Sequence, residues 1–405
     1  MTETMNVGKT APRKASFFNS LVFKLLVGIG LGILVGNYAP EGLMKAIVTF
    51  KGLFSNLISY VVPLIILGFI TPAIVSLKDS AGKILTVTLI ICYLSSVGAA
   101  LLSVTSGYAI IPHLNIAAQV GTGKALPDPV VELSFPPIMP VLTALITAIL
   151  IGLAVVWSKS QRWSDLLTEF NDIVLSIVNK VVVPVLPIYI FTTFAGLSYE
   201  GVIIKELPVF LKIILIVILG HYIWMTLLYA LGGLFSKRNP MGVVKHYLPA
   251  YLTALGTMSS AATLPVALQC ARKSDILDPE IRDFVIPVCS NTHLCGSVLT
   301  ETFFVMVVSQ ILYGKIPEFS TMMTFALLLG IFAIAAPGVP GGTVVASLGL
   351  IISVLGFDDN GTALMLSIFA LQDSFGTACN ITGDGAIALM VTGLFNKVPQ
   401  TKAQN

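Results

Sequence analysis

Charge is scarce in this sequence. Only 11% of its 405 residues are Asp, Glu, Lys or Arg, against about 25% in a soluble domain, while 56% are hydrophobic. A chain so composed cannot hide its apolar surface from water by folding alone. Its apolar residues come in blocks, several longer than the ~18 to 20 residues that span a hydrocarbon core, so the bilayer is its solvent. The few Lys and Arg form no dense basic block and interleave with no aromatics, so no nucleic acid partner is expected. Cysteine is scarce too. Cys92, Cys270, Cys289, Cys295 and Cys379 all lie in or beside apolar blocks, which excludes a secreted disulfide framework and reads as buried, reduced thiols. A cleaved leader is not expected, because the apolar block after the polar Met1–Ser16 runs too long for one.

Eight blocks read as membrane spans: residues 17–38, 46–77, 84–112, 138–157, 173–197, 209–235, 285–312 and 363–395. Two more, Val243–Ala271 and Met322–Phe357, are broken in the middle by small, polar and Pro residues, at 257–265 and 336–343. Positive residues are retained on the cytoplasmic side of short loops. Arg13, Lys14, Lys78, Lys83, Lys159, Arg162, Lys237, Arg238, Lys245, Arg272, Lys273, Lys397 and Lys402 fall on one side when each broken block returns to the side it came from. The smaller set, Lys45, Lys51, Lys124, Lys205 and Lys315, falls on the other. The pattern predicts an all-α membrane protein with eight transmembrane helices, two re-entrant helical hairpins of opposite sense and both termini cytoplasmic. Each hairpin precedes a polar span, so the unit occurs as inverted repeats, as in transporters whose discontinuous helices meet near the midplane. Small residues alone can serve helix packing; the matched inverted pair favours a site.

Of the 20 acidic residues, only Glu301, Asp373 and Asp384 sit well inside apolar spans. A charge there costs about 2.5 to 3.5 kcal/mol on insertion scales and needs a partner or a wet cavity. At 100° per residue, Asp373, Gly376, Thr377, Asn380 and Asp384 share one helix face, a polar stripe through the membrane. A rise of ~1.5 Å per residue separates the two aspartates by about 16 Å, too far to share a proton as an aspartyl protease dyad does. Two separate cations fit better: an ammonium at one, and at the other a hard metal ion, since Thr382 and Gly383 offer oxygens beside Asp384. The seventh span carries Cys289, Asn291, His293, Cys295 and Ser297. Cys289, His293 and Cys295 diverge by ~200° on a regular helix and make no zinc site. His293 is expected to pack as a neutral core ring, and unwinding near Pro287 and Gly296 would free carbonyls for an ion. Glu301 has no partner legible in the sequence.

These residues resemble the dicarboxylate/amino acid:cation symporter family, which includes the glutamate transporters. Ser259-Ser260-Ala261-Ala262-Thr263-Leu264-Pro265 is similar to the family's serine-rich first hairpin tip, and Gly338-Val339-Pro340-Gly341-Gly342 to its second. Asn380-Ile381-Thr382-Gly383-Asp384 is similar to its final-helix motif, and the order matches over nearly the whole chain. The resemblance implies an elevator-type homotrimer. Residues 1–16 would be a cytoplasmic segment, 17–77 and 130–198 a static trimerisation scaffold, 84–113 and 206–396 a mobile transport domain, and 397–405 a cytoplasmic tail. It also implies roles. Asp373 would bind the substrate ammonium, with Thr377 and Asn380 as polar contacts, Ser260 beside Ser259 at the α-carboxylate, and the carbonyls of Met258 and Val339 nearby. One Na+ would sit at Asp384 with the carbonyls of Cys289, His293 and Asn380, and a second at those of Asn291, Ala333, Ile334 and Ala336.

Departures from the family refine these expectations. Its acidic amino acid carriers have an arginine three residues after the ammonium-binding acid, where this chain has Gly376. An acidic substrate would leave its charge unpaired, at a cost on the order of several kcal/mol. A small neutral amino acid is therefore expected, and Ser297 with Thr377 suits a short hydroxyl side chain: L-serine and L-threonine, as in the family's bacterial sodium-coupled serine/threonine symporters of the inner membrane. Where the family reads Asn-Met-Asp-Gly-Thr, this chain reads His293-Leu294-Cys295-Gly296-Ser297. Cys295 replaces an acid of a third sodium site, to which Ser95 and Ser96 would belong, so fewer coupled ions are expected. Three alternatives remain open: an acidic amino acid or dicarboxylate symporter of the same fold, an amino-acid-gated channel or receptor, and a hydrolase built on Ser260, His293 and Asp373. A transporter, not an enzyme, is the reading taken.

Overall fold

In hydrocarbon a backbone amide has only the chain itself to bond to, so apolar blocks become helices. The computed structural model describes residues 21–79, 83–114, 116, 124–133, 136–201 and 203–395. Residues 1–16, the first four of the first expected span, the tail 397–405, and with them Arg13, Lys14, Lys397 and Lys402, lie outside the described residues.

The chain opens with α1 (Leu21–Tyr38), α2 (Glu41–Asp79) and α3 (Lys83–Ile110), then α4 (Val141–Ser158). α5 (Gln161–Ile177) and α6 (Val183–Tyr199) are joined without a break by a π-helical turn at Val178–Val182. α7 (Ile203–Ser236) and the short α8 (Met241–Val244) follow. Each block that the sequence marks as broken is two helices: α9 (Leu248–Thr257) with α10 (Ser260–Ala271), and α13 (Phe319–Ala335) with α14 (Gly342–Leu355). The seventh expected span is also divided, into α11 (Pro279–Thr292) and α12 (Cys295–Tyr313). Its unwound step is His293–Leu294, while Pro287 and Gly296 both stay helical. The last helix, α15 (Asp359–Leu394), runs 36 residues without interruption. Among the described residues, five helical stretches are long and apolar enough to cross a membrane: Glu41–Val75, Lys83–Leu114, Gln161–Tyr199, Phe210–Ser236 and Pro279–Tyr313. α1 and α4 are shorter apolar helices, and α15 is buried along most of its length.

Local chemistry explains where the breaks fall. α9 ends on Met258, whose φ of 53° is left-handed. Ser259 is extended and caps α10 by accepting the Ala262 N–H at 3.2 Å. α14 starts after Gly341, whose φ of 70° an L side chain rarely adopts. Asp358 begins α15 by accepting the Gly361 N–H at 2.8 Å.

Two groups of helices result. α1 packs along α6, and α2 along α4 and α5. α15 is the centre of the other group, flanked by α7, α9, α11 and α12, while α3 lies on α12 and α13. The groups meet where α15 touches α6 and α1, where α14 touches α2 and α4, and where the nearly buried Lys51 of α2 donates to Asn360 Oδ1 at the start of α15. Within the second group, α12 and α15 cross glycine against glycine. A Cβ at Gly296 would collide with the Gly376 carbonyl and Cys379, and one at Gly376 would sit 3.3 Å from Ser297 Cα.

Candidate functional site

The two hairpin tips, the α11–α12 step and the polar face of α15 converge on one chamber. Its walls include Met258 and Ser260 from the first hairpin, Val339 from the second, Ser297 from α12, and Asp373, Thr377 and Asn380 from α15. Leu294, Pro337, Gly338 and Thr343, which sequence reasoning did not single out, complete it. The chamber measures about 10 Å³, room for roughly one water. An amino acid enters only if the tips part.

Two of the expected substrate residues do other work. Ser259 ties the tips together: its hydroxyl donates to the Gly338 carbonyl at 2.6 Å, and the Ala261 N–H donates to the same oxygen at 3.3 Å. Gly376 faces the α12 backbone, not the chamber.

Asp373 is 3% exposed and accepts the Gly341 N–H on Oδ2 at 2.7 Å. Among the described residues its Oδ1 has no hydrogen-bond donor, and no Lys or Arg lines the chamber. Asn380 is already committed. Its Oδ1 accepts the N–H groups of Gly296 (2.7 Å) and Ser297 (3.2 Å), and its Nδ2 donates to Ser297 Oγ (3.0 Å). It thereby satisfies two of the amides that a helix start leaves orphaned and holds the Ser297 hydroxyl at the chamber wall.

The polar stripe read along α15 divides at this point. Asp384 lies outside the chamber and meets the imidazole of His293, whose Nδ1 is 3.0 Å from Asp384 Oδ1 and whose Nε2 is 2.8 Å from Ser95 Oγ. With the carboxylate ionised, Nδ1 carries the proton and Ser95 donates to Nε2. His293 and Asp384 are fully buried and Ser95 nearly so. His293 is thus a core ring, as expected, but a bonded one, and its ring partners are Ser95 and Asp384, not Ser260 or Asp373. That corrects the hydrolase grouping. Ser95, His293 and Asp384 do repeat a hydrolase's bonding order, yet none of them lines a described cavity.

Asp384 Oδ2 is buried with no partner, an acceptor suited to a small hard cation. The Cys289 carbonyl accepts the His293 N–H at 2.8 Å as the end of α11. At the end of α13, Pro337 stands four residues after Ala333 and has no N–H to give its carbonyl. Asn291 lies close by across Gly338. The C-terminal ends of α11 and α13, each partially negative, therefore lie near one another. Glu301 is fully buried, accepts from the Ser347 hydroxyl of α14, and leaves Oε2 unpartnered. Its partner was illegible in the sequence because it lies on another element.

Residues 21–394 match the pattern of the Sodium:dicarboxylate symporter family. The chain belongs to that family. Among its relatives it is 27% identical over 242 residues to "Excitatory amino acid transporter 2" of Mus musculus, covering 58% of this chain and 41% of the relative. It is 26% identical over 241 residues to "Excitatory amino acid transporter 1" of Homo sapiens, 58% of this chain and 43% of that one. To an "Excitatory amino acid transporter" of Caenorhabditis elegans it is 27% identical over 252 residues, 61% and 49%. The match thus spans less than half the length of these curated relatives. Membership carries sodium coupling in general and a multi-helix membrane protein as the family's character.

Proposed function

We propose that this chain is a sodium-coupled symporter of small neutral amino acids, foremost L-serine and L-threonine, in a bacterial inner membrane. One observation carries the reading. The chamber has a single charged wall residue, Asp373, facing hydroxyl and amide groups at Ser260, Ser297, Thr377 and Asn380. That set suits an ammonium at one end and a short hydroxyl at the other. A second carboxylate on the solute would find no cation. The family's description, which names a dicarboxylate, favours an acidic substrate as the second reading, and such a substrate requires a guanidinium or ammonium that this chamber lacks.

In the mechanism, the solute's ammonium takes Asp373 Oδ1 while the Ser260 hydroxyl and the α10 N-terminus take its carboxylate. Na+ is cargo. One ion sits against Asp384 Oδ2, and a second at the carbonyls of Asn291, Ala333, Ile334 and Ala336. With no acid at Cys295, a third ion is not coupled. The group containing α15 is the moving transport domain, α1, α2 and α4–α6 are the scaffold of a homotrimer, and the second hairpin is the outer gate. The Lys- and Arg-rich loops and both termini face the cytoplasm.

Uptake of labelled serine into proteoliposomes under an imposed sodium gradient tests this. Concentrative serine uptake that collapses without sodium is expected, with little competition from aspartate. Sodium-indifferent uptake, or accumulation of aspartate in its place, overturns it.

A further inference from the structure

A cavity much larger than the chamber lies elsewhere in the fold. About 520 Å³ lies between α7, α8, α9 and α15, within the roughly 300 to 1,000 Å³ of ligand sites, and it shares no wall residue with the chamber. Three features define its chemistry. Its body is apolar, with Met225, Val244 and Leu248 among its walls, and Met241 and Leu248 are exposed at its mouth. Two of its wall residues, Tyr247 and Thr382, carry buried hydroxyls with no hydrogen-bond partner, a costly arrangement unless an acceptor arrives. Its Pro240–Val244 rim is bracketed by Lys237, Arg238 and Lys245, none of which is in a salt bridge among the described residues.

We propose that this cavity is a binding site for an anionic glycerophospholipid. One such molecule supplies all three complements: an acyl chain for the apolar body, ester carbonyls for the hydroxyls of Tyr247 and Thr382, and a phosphate headgroup for the basic rim. A zwitterionic lipid supplies only the first two. A soluble metabolite would leave the apolar mouth, where Tyr222, Met241 and Leu248 stand exposed, without a complement. The site backs onto the ion-binding stretch of α15. Tyr229, another wall residue, donates its hydroxyl to the Thr382 carbonyl at 2.9 Å, and Thr382 is two residues from both Asn380 and Asp384.

Native mass spectrometry of the purified full chain tests the proposal, with phosphatidylglycerol or phosphatidylcholine of matched acyl chains added in turn. One retained phosphatidylglycerol is expected, preferred over phosphatidylcholine at least fivefold, since a basic residue near the headgroup is worth about that factor. Ala230→Trp, which puts an indole into the cavity from an exposed wall position, should lose both lipids at least fivefold. The doubly substituted Arg238→Gln, Lys245→Gln protein should retain both lipids equally. Equal retention of the two lipids by the unsubstituted protein, undiminished retention by Ala230→Trp, or displacement of lipid by detergent alone overturns it. None of these outcomes depends on which solute is carried.

Discussion

At the scale of single residues, the two buried aspartates of α15 have different surroundings and should fail differently. Asp373→Asn removes the charge facing the chamber but keeps an acceptor for the Gly341 N–H. Losing a charged hydrogen bond costs about 1.5 to 3 kcal/mol, so the serine KM should rise roughly ten- to a hundredfold, read at saturating sodium. His293→Ala removes the donor that orients the Asp384 carboxylate. Its expected signature is a raised sodium half-saturation with an almost unchanged serine KM at saturating sodium, with partial rescue in His293→Gln. A matched rise in both constants would mean that His293 only supports packing. Gly376 shows where residue-level reading stops. Its importance is legible in the sequence as a missing arginine, but its contact with the α12 backbone is not. Gly376→Arg should therefore lower the melting temperature and abolish serine uptake, a stronger outcome than a simple change of cargo. Retained stability with aspartate uptake would show that α12 can yield.

Among secondary-structure elements, the hairpin tips carry the closure. Ser259→Ala deletes both the bond to Gly338 and the cap of α10, and a lost cap costs about 1 kcal/mol. The second tip should then open more often. A cysteine placed at Val339 reports this through faster labelling by a membrane-impermeant thiol reagent, because all five native cysteines are buried. No acceleration would mean that the first hairpin does not hold the second. The broken helices themselves were legible, since Pro and Gly at membrane depth leave few options. The exact unwound step at His293–Leu294 was not: it is set by Asn380 capping α12 from α15, a long-range contact without a trace in local composition. The pairing of His293 with Ser95 and Asp384, and of Glu301 with Ser347, escaped for the same reason.

For the molecule as a whole, the α1–α2–α4–α5–α6 group and the group around α15 should move as two bodies. Lys51 and Asn360 sit on either side of that division. Cysteines at both positions, bridged by a short bifunctional thiol reagent, should arrest serine uptake, with either single cysteine remaining active. Full activity in the bridged protein would rule out the proposed sliding. A single chain reveals the division through its packing, whereas the proposed trimer depends on surfaces that only a second copy would cover.

The three contacts that shut the chamber, two onto the Gly338 carbonyl and one from Gly341 to Asp373, are each worth about 1 kcal/mol net. A latch of roughly 3 kcal/mol stands ajar in about one molecule in a hundred. On the proposed function, a solute would meet an open doorway by thermal agitation alone, and the closed majority would keep the membrane from leaking.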